Sequence, residues 1–107
     1  MDNMFERLIQ LYEDFCWWQI SDENLKESLK KLLIKEIGPE SDLFLIKDNL
    51  VAVAKSDRQD DVLFSDGDNY YVVHLTYNTN KSSGYPLYKV LKQSELMDYM
   101  KWYYNNI

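Results

Sequence analysis

The sequence predicts an α+β domain: two N-terminal helices, a mainly antiparallel meander of about five strands, and one C-terminal helix. Three observations predict it. Apolar residues recur at helical spacing before Gly38 and again after Ser94. Between those regions the apolar runs are short, rich in β-branched and aromatic residues, and separated by turn chemistry. At the centre, Asp60-Asp61-Val62-Leu63-Phe64 and the run Tyr70-Tyr71-Val72-Val73-His74-Leu75-Thr76-Tyr77 flank Ser65-Asp66-Gly67-Asp68-Asn69, the strongest hairpin signal in the chain. Strand runs grouped together, with helices at both ends, indicate α+β rather than alternating βαβ architecture. Short polar connections favour an antiparallel order.

The elements follow in sequence. Residues 2–18 place Met4, Phe5, Leu8, Ile9, Leu11, Tyr12, Phe15 and Cys16 on one wide apolar face, which predicts a first helix. Trp17-Trp18-Gln19-Ile20 leads to Ser21, an expected N-cap, with Asp22 and Glu23 in the first turn of a second helix. Of the adjacent tryptophans, one is expected to anchor a corner and the other to be partly exposed. The second helix buries Leu25, Leu29, Leu32, Leu33 and Ile37, and Gly38-Pro39 is expected to end it, with the glycine in the left-handed conformation.

Leu43-Phe44-Leu45-Ile46 and Leu50-Val51-Ala52-Val53-Ala54, separated by Lys47-Asp48-Asn49, read as a hairpin preceding the central one. Residues 78–84 form the longest polar stretch and read as a loop. Tyr85-Pro86-Leu87-Tyr88-Lys89-Val90-Leu91 reads as a further strand, with Pro86 confined to an edge or a strand start. Ser94 is the expected cap of a last helix, whose stripe is Leu96, Met100, Tyr103 and Ile107, thickened by Met97, Tyr99, Trp102 and Tyr104. The expected core includes Leu8, Leu29, Val73, Leu75 and Met100.

Composition narrows the function classes. The 107 residues suit one domain, and a hydrophobic share of 46% is that of a folded chain. Net charge is −6, which opposes phosphate backbones and anionic membranes, so neither nucleic acid nor membrane is an expected partner. The basic residues Lys26, Lys30, Lys31 and Lys35 alternate with Glu23, Glu27 and Glu36 on one predicted helix, the pattern of a solvated face. A single cysteine, Cys16, permits no intrachain disulfide, and its place on the first apolar face predicts a buried, inert thiol. No apolar run reaches the length of a membrane span and no signal-peptide pattern precedes the first helix, so the expected compartment is the cytoplasm.

Strand alternation divides the central hairpin. Tyr71, Val73, Leu75 and Tyr77 share one face with Val62 and Phe64, the more apolar set. Leu63, Tyr70, Val72, His74 and Thr76 occupy the other, beside Asp61. Two registers satisfy this: a two-residue Asp66-Gly67 turn, setting Gln59 against His74, or a four-residue loop from Asp66 to Asn69, setting Asp61 against His74. The mixed face is the expected binding surface, because antiparallel sheets often leave one face wet.

The chemical constellations are sparse. Asp57, Asp60, Asp61, Asp66 and Asp68 lie close in sequence, but without the alternate spacing and closing Glu of an EF-hand loop. No metal and no cofactor is expected. His74 is the sole histidine; beside Asp61 it forms an acid–base pair on paper, with Ser65 or Thr76 as candidate nucleophile. No nucleophile elbow, glycine-rich phosphate loop or Cys-x-x-Cys accompanies them, so no catalytic residue is assigned.

Asp60-Asp61-Val62-Leu63-Phe64 followed by Tyr71-Val72-Val73-His74-Leu75-Thr76 resembles a pattern in a family of small uncharacterised bacterial proteins of similar length. The resemblance covers the central third of the chain and implies a bacterial cytoplasmic setting. It carries no activity, ligand or catalytic residue with it. Members often have Trp after the Thr, where this chain has Tyr77. The expectation is therefore a small non-enzymatic domain that binds another protein. An immunity-type protein neutralising a basic toxin is the alternative within that class, and a small hydrolase built on Asp61 and His74 is the alternative outside it.

Overall fold

Gly67 stands at φ +100°, the left-handed conformation that favours glycine, at the tip of the central hairpin. The loop around it is tied by side chains. Asp66 Oδ1 accepts from the backbone N–H of Asp68 (2.9 Å) and of Asn69 (2.8 Å), Tyr71 donates its phenol to Asp66 Oδ2 at 2.8 Å, and Ser65 Oγ accepts from Gly67 N–H at 3.0 Å. These bonds select the longer of the two loops. Asp61 pairs with His74, Leu63 with Val72, and Phe64 with Tyr71.

The computed structural model describes residues 4–75 and 86–107. Its elements are α1 (Met4–Leu11), β1 (Trp17–Gln19), α2 (Glu23–Glu36), two 3-10 turns (Asp42–Leu45 and Lys47–Asn49), β2 (Val51–Ser56), β3 (Asp61–Ser65), β4 (Asn69–His74), β5 (Leu87–Lys92) and α3 (Gln93–Asn106). The five strands form one antiparallel sheet in the order β1-β2-β3-β4-β5, a meander within an α+β chain. Residues 76–85, which include Thr76, Tyr77, Tyr85 and the polar stretch 78–84, lie outside the described residues.

Five strands were expected, but one of the five differs. Leu43-Phe44-Leu45-Ile46 is not a strand. Ser41 Oγ accepts from Leu43 N–H at 3.2 Å, and this local side-chain bond closes a 3-10 turn in competition with an extended ladder. Leu43 is buried, Phe44 and Ile46 are partly buried on the same cluster, and Leu45 is 87% exposed, so the run packs on the core without forming a sheet face. The fifth strand is instead Trp17–Gln19, at the sheet edge beside β2. It is available because α1 stops at Leu11, far short of Trp18. Asp14, at φ 52°, reverses the chain, and Phe15, Cys16 and Trp17 are buried beyond it.

Two helix ends also differ from expectation. The N-cap of α2 is Asp22, whose Oδ1 accepts from Asn24 N–H at 2.8 Å, not Ser21. At its other end Ile37 is the C-cap in extended conformation (φ −74°, ψ 116°), drawn into the core, and Gly38 does not adopt positive φ. Pro39 accounts for this, since a residue before proline is pushed toward extended backbone. At α3, Lys92 rather than Ser94 is the cap residue, and its N–H donates to Glu95 Oε1 at 2.8 Å.

The sheet is covered on both faces. Phe5 and Leu8 of α1 and Leu96, Met100 and Tyr103 of α3 pack with Trp17, Ala54, Leu63, Val72 and Leu91. Leu29 and Leu33 of α2, with Ile37 and Leu43, pack with Val62, Phe64, Tyr71, Val73 and Leu75 on the other side. All five expected core residues are buried, divided between the two clusters. Each such aliphatic contributes about 1.5–3 kcal/mol by leaving water.

Candidate functional site

The α3-facing side of the hairpin carries Asp61, Leu63, Val72 and His74, as alternation requires. It is not an open surface. Leu63 and Val72 are buried beneath α3, and Tyr70 is half-buried against the same cluster. The expectation of a wet face fails here because α3 has its own apolar stripe and lays it on this side. Of the five expected binding residues, His74 keeps 44% of its side chain exposed, and Thr76 lies outside the described residues.

Beneath α3 a polar chain runs through the core. His74 Nδ1 lies 2.8 Å from Asp61 Oδ1, and Tyr103 donates its phenol to Asp61 Oδ2 at 2.6 Å. Ser56 Oγ lies 2.9 Å from the Tyr103 oxygen. Tyr103 has one hydrogen, already given to Asp61, so Ser56 is the donor in that contact. Ser56 Oγ in turn accepts from Arg58 N–H (3.1 Å) and Gln59 N–H (3.4 Å). With Asp61 as a carboxylate, both its oxygens accept, and Nδ1 of His74 carries the hydrogen. Burial first, and then the Asp61 hydrogen bond, push the Tyr103 phenol far above its ordinary range.

This arrangement ties α3 to β2, β3 and β4 and satisfies the buried polar groups of Ser56, Asp61 and Tyr103. As a catalytic set it lacks a reachable nucleophile among the described residues. Ser56 is buried, and it sits at the end of the chain away from His74. Ser65 pairs with Tyr70 at the other end of β3, about 13 Å from Asp61 at the usual strand rise. The remaining carboxylates do not converge either: Asp66 is spent on its own loop, while Asp57, Asp60 and Asp68 are exposed. Among the described residues no group of three His, Cys, Asp or Glu side chains is placed to hold a metal ion.

An open pocket of about 340 Å³ lies over the β2–β3 loop, lined by Trp18 and residues 55–60. Its cations are occupied by main-chain carbonyls. Lys55 Nζ donates to the carbonyls of Ser56 (2.7 Å) and Gln59 (3.0 Å), and Arg58 donates to Tyr104 O while lying over the Tyr104 ring. Cys16 is buried and its thiol is pushed up by that burial, as its sequence position predicts. Trp17 is buried edge-on against Tyr103, with ring centroids 5.0 Å apart, while Trp18 is half-buried.

One exposed aromatic and apolar surface among the described residues lies elsewhere, apart from single exposed side chains such as Leu11 and Leu45. On the outer side of α3, the Tyr99 and Trp102 rings lie 5.7 Å apart between centroids, tilted by 30°, and together with Lys89 of β5 they line a cavity of about 330 Å³. Lys89 Nζ lies 6.0 Å from the Tyr99 ring centroid. Trp102 is 50% exposed, and Leu87, which shares a sheet face with Lys89, is 59% exposed. Sequence reasoning had Tyr99 and Trp102 thickening the buried stripe of α3; Tyr99 does pack partly buried against the core, whereas Trp102 stays half exposed.

No helix among the described residues is long and apolar enough to cross a membrane. Comparison with protein-family models, with curated proteins and with solved structures finds no match to this chain.

Proposed function

We propose that the chain is a non-enzymatic protein-binding domain acting through the ledge of Leu87, Lys89, Tyr99 and Trp102. One observation carries the reading: two adjacent aromatic rings, the Trp102 ring half exposed, stand beside a cavity on a helix anchored by the buried Tyr103–Asp61 bond. Aromatic residues held rigidly around a pocket are the usual composition of interface centres. The same buried bond argues against the hydrolase alternative, since it commits Asp61 to holding the helix. Trp102→Ala should weaken capture of the partner by about 2 kcal/mol or more, roughly thirtyfold. Leu45→Ala, at a more exposed site on the α2 side of the sheet, should leave capture unchanged. Equal capture by wild type and Trp102→Ala would refute the ledge. Loss of binding in high salt would mark the partner as basic, the immunity-type case.

A further inference from the structure

We infer that the ledge and the outer edge of β5 together bind a second copy of this chain, the two β5 strands pairing antiparallel about Val90. The inference rests on the protein-binding reading above and names its partner. Its first ground is exposure on both faces of a single strand. Val90, opposite Tyr71, projects on the α2 side and is 48% exposed; Leu87, opposite His74, projects on the α3 side and is 59% exposed. A partner lying on one face covers one of these side chains, whereas a strand added at the edge covers both. Among the described residues nothing pairs with the outer edge of β5, and the strand runs six residues without an internal proline.

The second ground is register. A two-fold axis through Val90 sets Val90 against its copy, Lys89 against Leu91, and Tyr88 against Lys92. No like charges stand directly opposite, and each Lys92 meets an aromatic ring. Centring the pair on Lys89 would set two lysines face to face. Two-fold pairing perpendicular to the sheet also puts both α3 helices on the same side, with their Tyr99 and Trp102 ledges turned toward one another. A specific interface buries about 800 Å² per partner, and the paired helices add to what a six-residue strand supplies.

Sedimentation equilibrium over a range of concentrations tests this with the protein alone. Wild type should approach twice the 12.9 kDa of one chain. Val90→Lys, which sets two ammonium groups on the axis, should weaken association about tenfold or more. Leu45→Lys should associate like wild type. Thermal melts check folding, and Leu87→Lys replaces Val90→Lys if the latter melts early. A monomeric wild type at every concentration overturns the inference, as does a dimer indifferent to both Val90→Lys and Leu87→Lys. A monomer whose capture of another protein still depends on Trp102 would overturn the dimer while leaving the protein-binding reading in place.

Discussion

Tyr103→Phe isolates the buried bond on which the placement of α3 depends. The substitution keeps the ring, and with it the edge-on contact to Trp17, but removes one oxygen. That oxygen donates to the Asp61 carboxylate at 2.6 Å and accepts from Ser56 at 2.9 Å. A hydrogen bond to a charged group is worth about 1.5–3 kcal/mol, and stranding the buried Ser56 hydroxyl adds about 1 kcal/mol. The expected loss at neutral pH is therefore about 2.5–4 kcal/mol, measured by urea unfolding followed through tryptophan fluorescence.

The same variant has a pH signature. Burial and Asp61 hold the Tyr103 phenol above its ordinary value of 10, so above that pH the unfolded chain releases a proton that the folded chain retains. The unfolded state then binds fewer protons, and stability falls as pH rises past 10, by up to about 1.4 kcal/mol per unit for this group. Tyr71, Tyr88 and Tyr99 are raised as well, so wild type carries a composite slope. Tyr103→Phe should have a shallower slope, not a flat one. A neutral-pH loss below about 0.5 kcal/mol, or an unchanged alkaline slope, would refute the role given to this bond.

Two further outcomes test the fold. Leu75→Ala should cost about 2–5 kcal/mol, because Leu75 is fully buried against the α2 side, whereas Leu45→Ala should stay within about 0.5 kcal/mol in the same unfolding assay. Asp66 should titrate below free aspartate in an NMR pH titration, held down by the Asn69 and Asp68 N–H groups and then by Tyr71. Its stabilising contribution is present above the ordinary Asp range and is lost as pH falls through the depressed value, so Asp66→Ala should be less acid-sensitive than wild type.

What the sequence made legible were features set by local chemistry. A hairpin closed around Gly67, in one of two registers, the division of β4 into two faces and the anchoring role of one of two adjacent tryptophans all follow from turn residues and alternation. The failures are places where two local signals compete. Leu43-Phe44-Leu45-Ile46 has strand composition, but Ser41 caps it into a tight turn, and a hydroxyl two residues upstream outweighs apolar content over so short a run. Trp17–Gln19 has helical periodicity behind it, yet the positive φ of Asp14 separates it from α1. Aspartate tolerates that conformation, so nothing in the residue type marks the break in advance.

The misjudged binding face has a different origin. Alternation within a strand separates two sides but does not say what covers either of them. That answer lies in the helices, which each carry an apolar stripe needing a surface to bury it. The stripe of α2 takes the Val62–Phe64–Val73 side, so the stripes of α1 and α3 require a second surface, and the broad apolar one that remains among the described residues is the Leu63–Val72 side. Three amphipathic helices around a five-stranded sheet therefore argue for a sheet covered twice. Once both faces are occupied, exposed apolar side chains are left at the sheet's edge and on the outer side of its covering helix. That is where Leu87, Val90 and Trp102 stand.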